Sequence, residues 1–200
     1  MGVILMTDFK LPDPIPEYKE RKEFCFEVLH PKHVALDYQA LMKSKEFLRR
    51  WSNSTWPEDH FKVEDNLIDL EWHYEEFKEK TAFTYTILNQ DKNQCLGCIY
   101  IKPVTSMTKL SAEERLLLEP FHFFTIYWVI TDIKNTQMEN KIFNTIRDWL
   151  LNDWRFQAVL FVSNSQIPEQ NAIYRNNQME LFLDLQEKNR HQLFWVPIKG

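Results

Sequence analysis

Glycine is almost missing from this chain of 200 residues. Between Gly2 and Gly200 the only glycine is Gly97. Glycine lets a backbone adopt positive φ and approach a phosphate closely, as in the glycine-rich loops of nucleotide-binding proteins. No Walker-type loop is present, and no Ser/His/Asp order typical of hydrolases is recognisable. The sequence therefore gives no support to a nucleotide-hydrolysing enzyme or a serine hydrolase.

Cysteine, excess charge and long apolar runs are also scarce. Cys25, Cys95 and Cys98 are an odd number and too few for a disulfide framework, which favours a reducing cytosol. The net charge is −5 with both signs intermixed, so no basic surface for nucleic acid or an anionic membrane is indicated. No run approaches the roughly 20 apolar residues of a membrane span, and residues 2–6 are too short for a signal peptide. We expect a cytoplasmic protein with neither nucleic acid nor membrane as a partner.

Aromatic residues, in contrast, are plentiful. The chain has 15 Phe, 7 Trp and 7 Tyr, and 44% of its residues are hydrophobic, which is enough to build a core without metal or disulfides. Its length fits one domain. Pro12, Pro14 and Pro16 punctuate a polar stretch. We therefore expect residues 1–22 to form an extended N-terminal segment and residues 23–200 a single domain.

The apolar periodicity predicts an alternation of strands and helices. The elements predicted in the first half are a strand at 23–29, a helix from after Pro31 to about 50, a helix at 64–80, and a hairpin of strands at 83–87 and 96–101. Those of the second half are a short helix with a capping box at Ser111 and Glu114, a fully buried strand at 123–130, a helix at 137–152, a strand at 158–162, a short helix at 169–177, and an antiparallel pair at 179–185 and 193–198. This order predicts an α/β fold with a mixed, mostly antiparallel sheet and helices on both faces.

The region around the central strand resembles the GNAT acyltransferase superfamily. In that family the central strand ends in a valine, and Gln/Arg-x-x-Gly-x-Gly/Ala then opens a helix with apolar residues at set offsets. Val129 matches the valine, Lys134 the basic position, and Gln137 and Glu139 the two glycine positions. The inward positions of the helix are Ile142, Ile146 and Trp149. The spacing is preserved although both glycines are replaced, and the blocks at 69–73, 82–86 and 96–100 resemble a bacterial branch of the superfamily.

The resemblance implies an N-acyltransferase that moves an acetyl or other acyl group from acetyl-CoA to a primary amine by direct attack. The amine belongs to a small molecule or a peptide. The backbone groups implied to meet the pantetheine are those of Trp128 and Val129, and the residues implied to hold the pyrophosphate are Lys134, Asn135, Thr136, Gln137, Met138 and Glu139. Tyr174 matches the family's general acid for the departing thiolate, and Asn171, on the same helix, is implied to contact the cofactor. Ile167 stands where the family has its asparagine, and Gln178 and Met179 replace Gly-Phe.

The replaced glycines leave the cofactor's phosphate site open to two interpretations. The N–H groups of Asn135, Thr136 and Gln137 can still donate, and the helix dipole still attracts an anion. Glu139 either faces the loop, where its carboxylate repels phosphate, or is an ordinary first-turn acid that points into solvent. We expect CoA binding that is weakened but retained.

Two histidines are candidates for the base that accepts the amine's proton. His122 opens the central strand, where the resemblance implies that the family places such a base; otherwise it is a strand-edge histidine. His73 lies on a helical stripe with Asp69, Glu76 and Lys80, and flanking carboxylates favour its protonated form. The stripe either lines the site that binds the acceptor amine or is a solvent-exposed face of the helix. The position at a strand end slightly favours His122.

The remaining motifs favour structural roles. Cys95 and Cys98 have CxxC spacing, but there is no second pair, and a regular strand sends the two side chains to opposite faces, so we expect structural thiols and no metal. A cluster of aromatic residues either lines an apolar acceptor pocket or belongs to the core. Its members are Trp51, Trp56, Trp72 and Phe77.

A rival hypothesis is a non-catalytic GNAT-like module that binds a small molecule or a protein and has lost tight CoA binding with its glycines. An exposed terminal strand also makes a homodimer possible.

Overall fold

Eight β-strands form one sheet in the computed structural model, which describes residues 10–156, 158–186 and 190–198. In chain order they are β1 (Tyr18–Glu20), β2 (Phe24–Val28), β3 (Phe83–Asn89), β4 (Cys95–Pro103), β5 (Phe123–Val129), β6 (Leu160–Asn164), β7 (Met179–Leu185) and β8 (Gln192–Pro197). Their order across the sheet is β1-β2-β3-β4-β5-β6-β8-β7, and β5 with β6 is the parallel pair among antiparallel ones. The predicted α/β class with a mostly antiparallel sheet is confirmed.

The α-helices follow the predicted order. They are α1 (Val34–Lys43), α2 (Lys45–Ser52), α3 (Val63–Lys78), α4 (Ala112–Leu118), α5 (Gln137–Asn152) and α6 (Pro168–Asn176). The predicted capping box of α4 is confirmed, since the Glu114 N–H donates to Ser111 Oγ and the Ser111 N–H donates to a Glu114 carboxylate oxygen. The single helix expected after Pro31 is wrong, because Ser44 has non-helical φ −104° and ψ 11° and separates α1 from α2.

Part of the N-terminal segment belongs to the sheet. Residues 18–20 form the edge strand β1 against β2, and the Tyr85 hydroxyl, from β3, donates to the Pro16 carbonyl at 2.7 Å. Residues 1–9 of the predicted extended segment lie outside the described residues. The other edge of the sheet is β7, where Leu181 and Phe182 are exposed. Dimerisation through a sheet edge stays a prediction.

Helices cover both faces of the sheet. On one face, His73 of α3 packs against Tyr100 of β4, and this face carries α1 to α3. On the other, Trp149 of α5 packs against Tyr85 of β3. We call them the α1–α3 face and the α5–α6 face. No helix among the described residues combines the length and apolar character needed to cross a bilayer.

The parallel strands β5 and β6 pair over a short stretch and then separate. Their register pairs Phe124 with Leu160 and Thr125 with Phe161. Beyond these pairs the carboxyl-terminal parts of the strands, residues 126–129 and 162–164, diverge. We call this opening the β5–β6 split. It lies near the centre of the sheet.

A β-bulge interrupts β4 at Gly97. Ile87 pairs with Gly97 and Leu88 pairs with Cys95, so Leu96 is an extra residue. Gly97 has φ +152°, and a Cβ there would lie 2.0 Å from the Trp128 carbonyl oxygen. The extra residue turns Cys95 and Cys98 to the same face. The expectation that their side chains point to opposite faces is therefore wrong.

Candidate functional site

A cavity of about 760 Å³ opens on the α1–α3 face over the β5–β6 split. Ile126 of β5 and Asn164 of β6 line its floor, and Trp51 and Trp72 line its walls. Its volume is typical of a small-molecule site, which is usually an apolar pocket with a few polar groups. Two aromatic residues of the predicted acceptor pocket therefore line a real cavity. The other two lie elsewhere, since Trp56 packs against Phe61 and Phe77 packs against Phe83.

An acid–base pair lies at the cavity wall. Glu76 lines the cavity, and one of its carboxylate oxygens is 3.0 Å from His73 Nδ1. The His73 ring stacks on Trp72, with 4.9 Å between ring centroids, and its Nδ1 is also 3.3 Å from the Thr84 hydroxyl. Burial lowers the pKa of His73, so its neutral form is favoured near neutral pH. A neutral imidazole beside a carboxylate can take up a proton.

The structure places the two predicted bases differently. His73 adjoins the cavity through Trp72 and Glu76. His122 is exposed just before β5, at the end of the strand away from the split, and does not line the cavity. Of the predicted stripe around His73, Glu76 reaches the cavity. Two basic residues that the sequence did not single out, Lys102 and Arg190, line it as well.

The Glu139 side chain occupies the loop that the resemblance assigns to pyrophosphate. The Asn135 N–H donates to Glu139 Oε2 at 2.6 Å, and the residue is 2% exposed. The interpretation that Glu139 points into solvent is therefore wrong. Burial raises the pKa of Glu139 to about 7. A carboxyl group of the same chain thus already accepts an N–H group at the N-terminal end of α5.

Other residues of the loop also have hydrogen-bond or ion-pair partners within the chain. The Thr136 hydroxyl caps α5 by accepting the Met138 N–H at 3.2 Å. Lys134 Nζ is 2.9 Å from Glu169 Oε1 and lies over the Phe47 ring at 3.4 Å, so an acidic partner already neutralises its charge. Gln137 is exposed and borders a shallow surface pocket. The basic residues of that pocket are Arg21, Lys22 and Lys141.

The predicted general acid lies in the core beneath the split. Tyr174 is fully buried, stacks on Trp195 and contacts Phe143 edge to face. Among the described residues its hydroxyl has no hydrogen-bond partner, and the same holds for the buried hydroxyl of Tyr127. Burial raises the pKa of both phenols well above the usual value. Tyr174 is not among the residues that line the cavity of the α1–α3 face.

Two neighbouring residues of α6, Gln170 and Asn171, hydrogen-bond the strands on either side of the split. Gln170 Nε2 donates to the Tyr127 carbonyl oxygen at 3.0 Å, and Gln170 Oε1 is buried without a partner among the described residues. Asn171 Nδ2 donates to the Asn164 carbonyl at 3.1 Å, and Asn171 Oδ1 accepts from the Ser163 hydroxyl at 2.6 Å. Gln170 therefore hydrogen-bonds a backbone carbonyl of β5, and Asn171 links β6 to α6.

The backbone of β5 alternates in direction along the split. The Tyr127 carbonyl faces Gln170, whereas the Ile130 N–H donates to Leu96 on the β4 side. In an extended strand the peptide groups of successive residues point to opposite sides. The backbone groups of Val129 therefore face the same side as those of Tyr127, and those of Trp128 face β4.

These contacts decide how well the site fits CoA. The pyrophosphate loop does not fit as arranged, since Glu139 takes an N–H group and Lys134 is paired with Glu169. The split fits better, because Tyr127, Gln170 and Tyr174 have buried polar atoms that find no partner among the described residues. Such atoms are costly unless something pairs with them.

Comparisons with known proteins identify the fold. No family model matches the sequence, and no curated protein matches it significantly. Similar solved structures include RimL ribosomal L7/L12 alpha-N-protein acetyltransferase in complex with coenzyme A (14% identity, 94% of this chain and 96% of that chain, TM-score 0.67), microcin C7 self-immunity acetyltransferase MccE in complex with acetyl-CoA and AMP (12%, 90% and 94%, 0.69), and ribosomal-protein-S5-alanine acetyltransferase from Vibrio fischeri (12%, 90% and 96%, 0.65). These structures are GNAT-family acetyltransferases, and this chain has the GNAT fold predicted from its sequence.

Replacing Tyr174 with phenylalanine is expected to stabilise the protein by about 1 kcal/mol, because a buried hydroxyl without a partner is costly. Urea unfolding of Tyr174→Phe measures the change. Tyr85→Phe is the matched control: its hydroxyl donates to the Pro16 carbonyl, and its loss is expected to destabilise by about 1 kcal/mol. Equal destabilisation by both substitutions would contradict this account of Tyr174.

Proposed function

We propose that the protein is an acyl-CoA-dependent N-acyltransferase that acetylates a primary amine bound in the cavity of the α1–α3 face. The observation that carries this proposal is the meeting of the cavity with the β5–β6 split, where Ile126 and Asn164 form its floor. An acceptor in the cavity thereby gains access to the sheet centre. The printed names of the neighbours RimL and the S5-alanine enzyme specify protein substrates, which supports a peptide amine as one acceptor class.

In this proposal Glu76 and His73 accept the proton that the amine loses. An amine nitrogen attacks a carbonyl carbon with its lone pair, so its surplus proton must pass to a base. The Glu76 carboxylate lines the cavity, and the adjacent imidazole is held neutral by burial. The general-acid role of Tyr174 stays a prediction from the resemblance. It requires the split to open beside α6.

The acyl donor competes with Glu139 for the start of α5. Its pyrophosphate and the Glu139 carboxylate are both anions, and the same N-terminal N–H groups attract them. Protonation of Glu139 removes the competing charge. We therefore expect acetyl-CoA to bind more tightly at pH 6 than at pH 8, because the pKa of Glu139 is about 7.

Acetyl-CoA-dependent thiol release with a panel of amines and N-terminal peptides tests the activity. Wild type is expected to show amine-dependent release, and Glu76→Gln is expected to lose about 10²–10⁴-fold, the usual contribution of a general base. The matched control is Glu75→Gln on the same helix, an exposed carboxylate that pairs with Lys78. Release that Glu76→Gln leaves unchanged would remove this residue from the mechanism.

A specific observation favours a second function, that of a non-catalytic binding module. Glu139 and Gln170 satisfy from within the chain groups that a cofactor would otherwise engage. Such a module would bind a small molecule or peptide in the same cavity and would not bind acetyl-CoA. Titrations with acetyl-CoA at pH 6 separate the two functions, because only the enzyme requires that complex.

A further inference from the structure

Asp37, Cys95 and Cys98 converge in the protein interior, away from the cavity and the loop. Cys98 Sγ lies 3.3 Å and Cys95 Sγ lies 3.9 Å from Asp37 Oδ1. The three potential ligand atoms lie within 4.8 Å of one another, and all three residues are buried. Asp37 comes from α1 and the two cysteines from the bulged end of β4, so the cluster joins a helix to the sheet.

Among the described residues, the hydrogen-bond partners of Asp37 carry no positive charge. The polar partner of the Asp37 carboxylate outside the cluster is Asn66 Nδ2, a neutral donor at 3.0 Å. Buried carboxylates are paired with cations, neutralised by protons or bound to metal ions. The described contacts of Asp37 include no cation, which leaves a proton or a metal ion as the neutralising partner.

The backbone is shaped so that the two thiols meet. In a regular strand, residues three apart point to opposite faces, and the extra residue Leu96 removes that separation. Gly97 makes this possible, since any side chain there would collide with the Trp128 carbonyl. The only interior glycine of the chain therefore stands where it brings Cys95 and Cys98 onto Asp37.

We propose that Asp37, Cys95 and Cys98 form a buried zinc site. Tetrahedral zinc has bonds of about 2.3 Å to sulfur and about 2.0–2.2 Å to oxygen, which places ligand atoms roughly 3.3–3.8 Å apart. The two sulfur-to-carboxylate distances in the cluster, 3.3 and 3.9 Å, require shifts of only tenths of an ångström. A water completes the four ligands, as in other sites with three protein ligands.

The surrounding donors suit thiolate and carboxylate ligands. The Thr86 hydroxyl donates to Cys95 Sγ at 3.5 Å, and Asn66 fixes the second carboxylate oxygen of Asp37. Such outer contacts orient the ligands and disperse their charge. Zinc binding releases the protons of both thiols, so affinity is expected to rise with pH.

Metal analysis of the full-length protein tests the site. Protein expressed with zinc and dialysed against metal-free buffer is expected to retain about one zinc per chain by mass spectrometry. Asp37→Asn and Cys98→Ser are expected to lose it. Cys25→Ser, which alters a buried cysteine outside the cluster, is expected to keep it. Zinc retained by both cluster variants would overturn the proposal.

Cobalt spectroscopy keeps the test independent of how well the variants fold. Wild-type protein, stripped of metal and kept reduced, is titrated with Co²⁺. Thiolate-to-cobalt charge-transfer absorption that saturates at about one equivalent is expected, since thiolates bind such ions directly. Metal-free wild type that gives no such absorption would overturn the proposal and identify a cluster of protonated thiols and carboxyl. Neither result depends on acetyl-CoA binding.

Discussion

Replacing Gly97 with alanine is expected to destabilise the protein by about 2–5 kcal/mol. A positive φ costs a residue with a Cβ about 1–2 kcal/mol, and forcing extra volume into a packed site costs about 1–3 kcal/mol. Both apply, since Gly97 has φ +152° and its added Cβ would lie 2.0 Å from the Trp128 carbonyl oxygen and 2.9 Å from Val129 Cα. The obstacle is the backbone of β5, which cannot turn aside as a flexible side chain can.

Urea unfolding of Gly97→Ala measures this loss. Asp91→Ala, in the exposed turn between β3 and β4, is the control and is expected to change stability by less than about 0.5 kcal/mol. The same variant is expected to expose Cys95 and Cys98 to thiol reagents, because the bulge positions both side chains. A loss below about 1 kcal/mol together with protected thiols would show that β4 tolerates a side chain at this position.

Glu139→Gln is expected to remove a large pH dependence of stability. The pKa of the Glu139 carboxyl is raised from 4.5 to about 7, mainly by burial. Between these values the unfolded chain releases the proton while the folded chain keeps it, so stability falls as pH rises. The loss of folding stability caused by ionising Glu139 is absent below about pH 4.5 and reaches its full value of about 3 kcal/mol above about pH 7.

Urea unfolding of wild type and Glu139→Gln at pH 5 and pH 8 measures that difference. The wild type is expected to lose about 2.5 kcal/mol more than the variant over this interval, because part of the penalty is already present at pH 5. Histidines with lowered pKa, such as His73, contribute equally to both proteins and cancel. Glu113→Gln is the control, since Glu113 is an exposed acid in the first turn of α4. Parallel pH profiles for wild type and Glu139→Gln would show that the carboxylate is solvated.

The position of the Glu139 side chain changes how the lack of glycine in this loop is interpreted. Glycine has two uses in such a loop, positive φ and room for an anion close to the backbone. Asn135 supplies the first with φ +59°, a conformation that asparagine tolerates. Glu139 fills the second with its own carboxylate. The loop therefore contains a positive φ without glycine, and the Glu139 carboxyl occupies the position that the resemblance assigns to a phosphate.

Much of the fold could be predicted from the sequence. Apolar periodicity located β2 to β8 and most of the helices to within a few residues, but it did not predict β1, and Val129 placed the loop relative to α5. The break at Ser44 could not be predicted, because it depends on packing: Ser44 is buried and its hydroxyl accepts the Thr131 N–H from another part of the chain. Periodicity carries no information about such contacts.

The site was less predictable than the fold. Helical spacing placed His73 and Glu76 on one stripe, and they meet at the cavity wall. The direction of the Glu139 side chain and the role of Gln170 depend on tertiary contacts with Asn135 and Tyr127, for which the sequence has no local signal. The bulge had one signal, an isolated glycine within a strand pattern.

A calorimetric titration with acetyl-CoA at pH 8, on wild type and on Glu139→Gln, measures whether the proposed cleft accepts an acyl-CoA and whether Glu139 competes with its phosphates. Saturable binding to both proteins is expected, tighter for the variant by about tenfold or more, since losing a competing charged hydrogen bond is worth about 1.5–3 kcal/mol. Absence of binding to both proteins would contradict this proposal and leave the GNAT fold as a non-catalytic module.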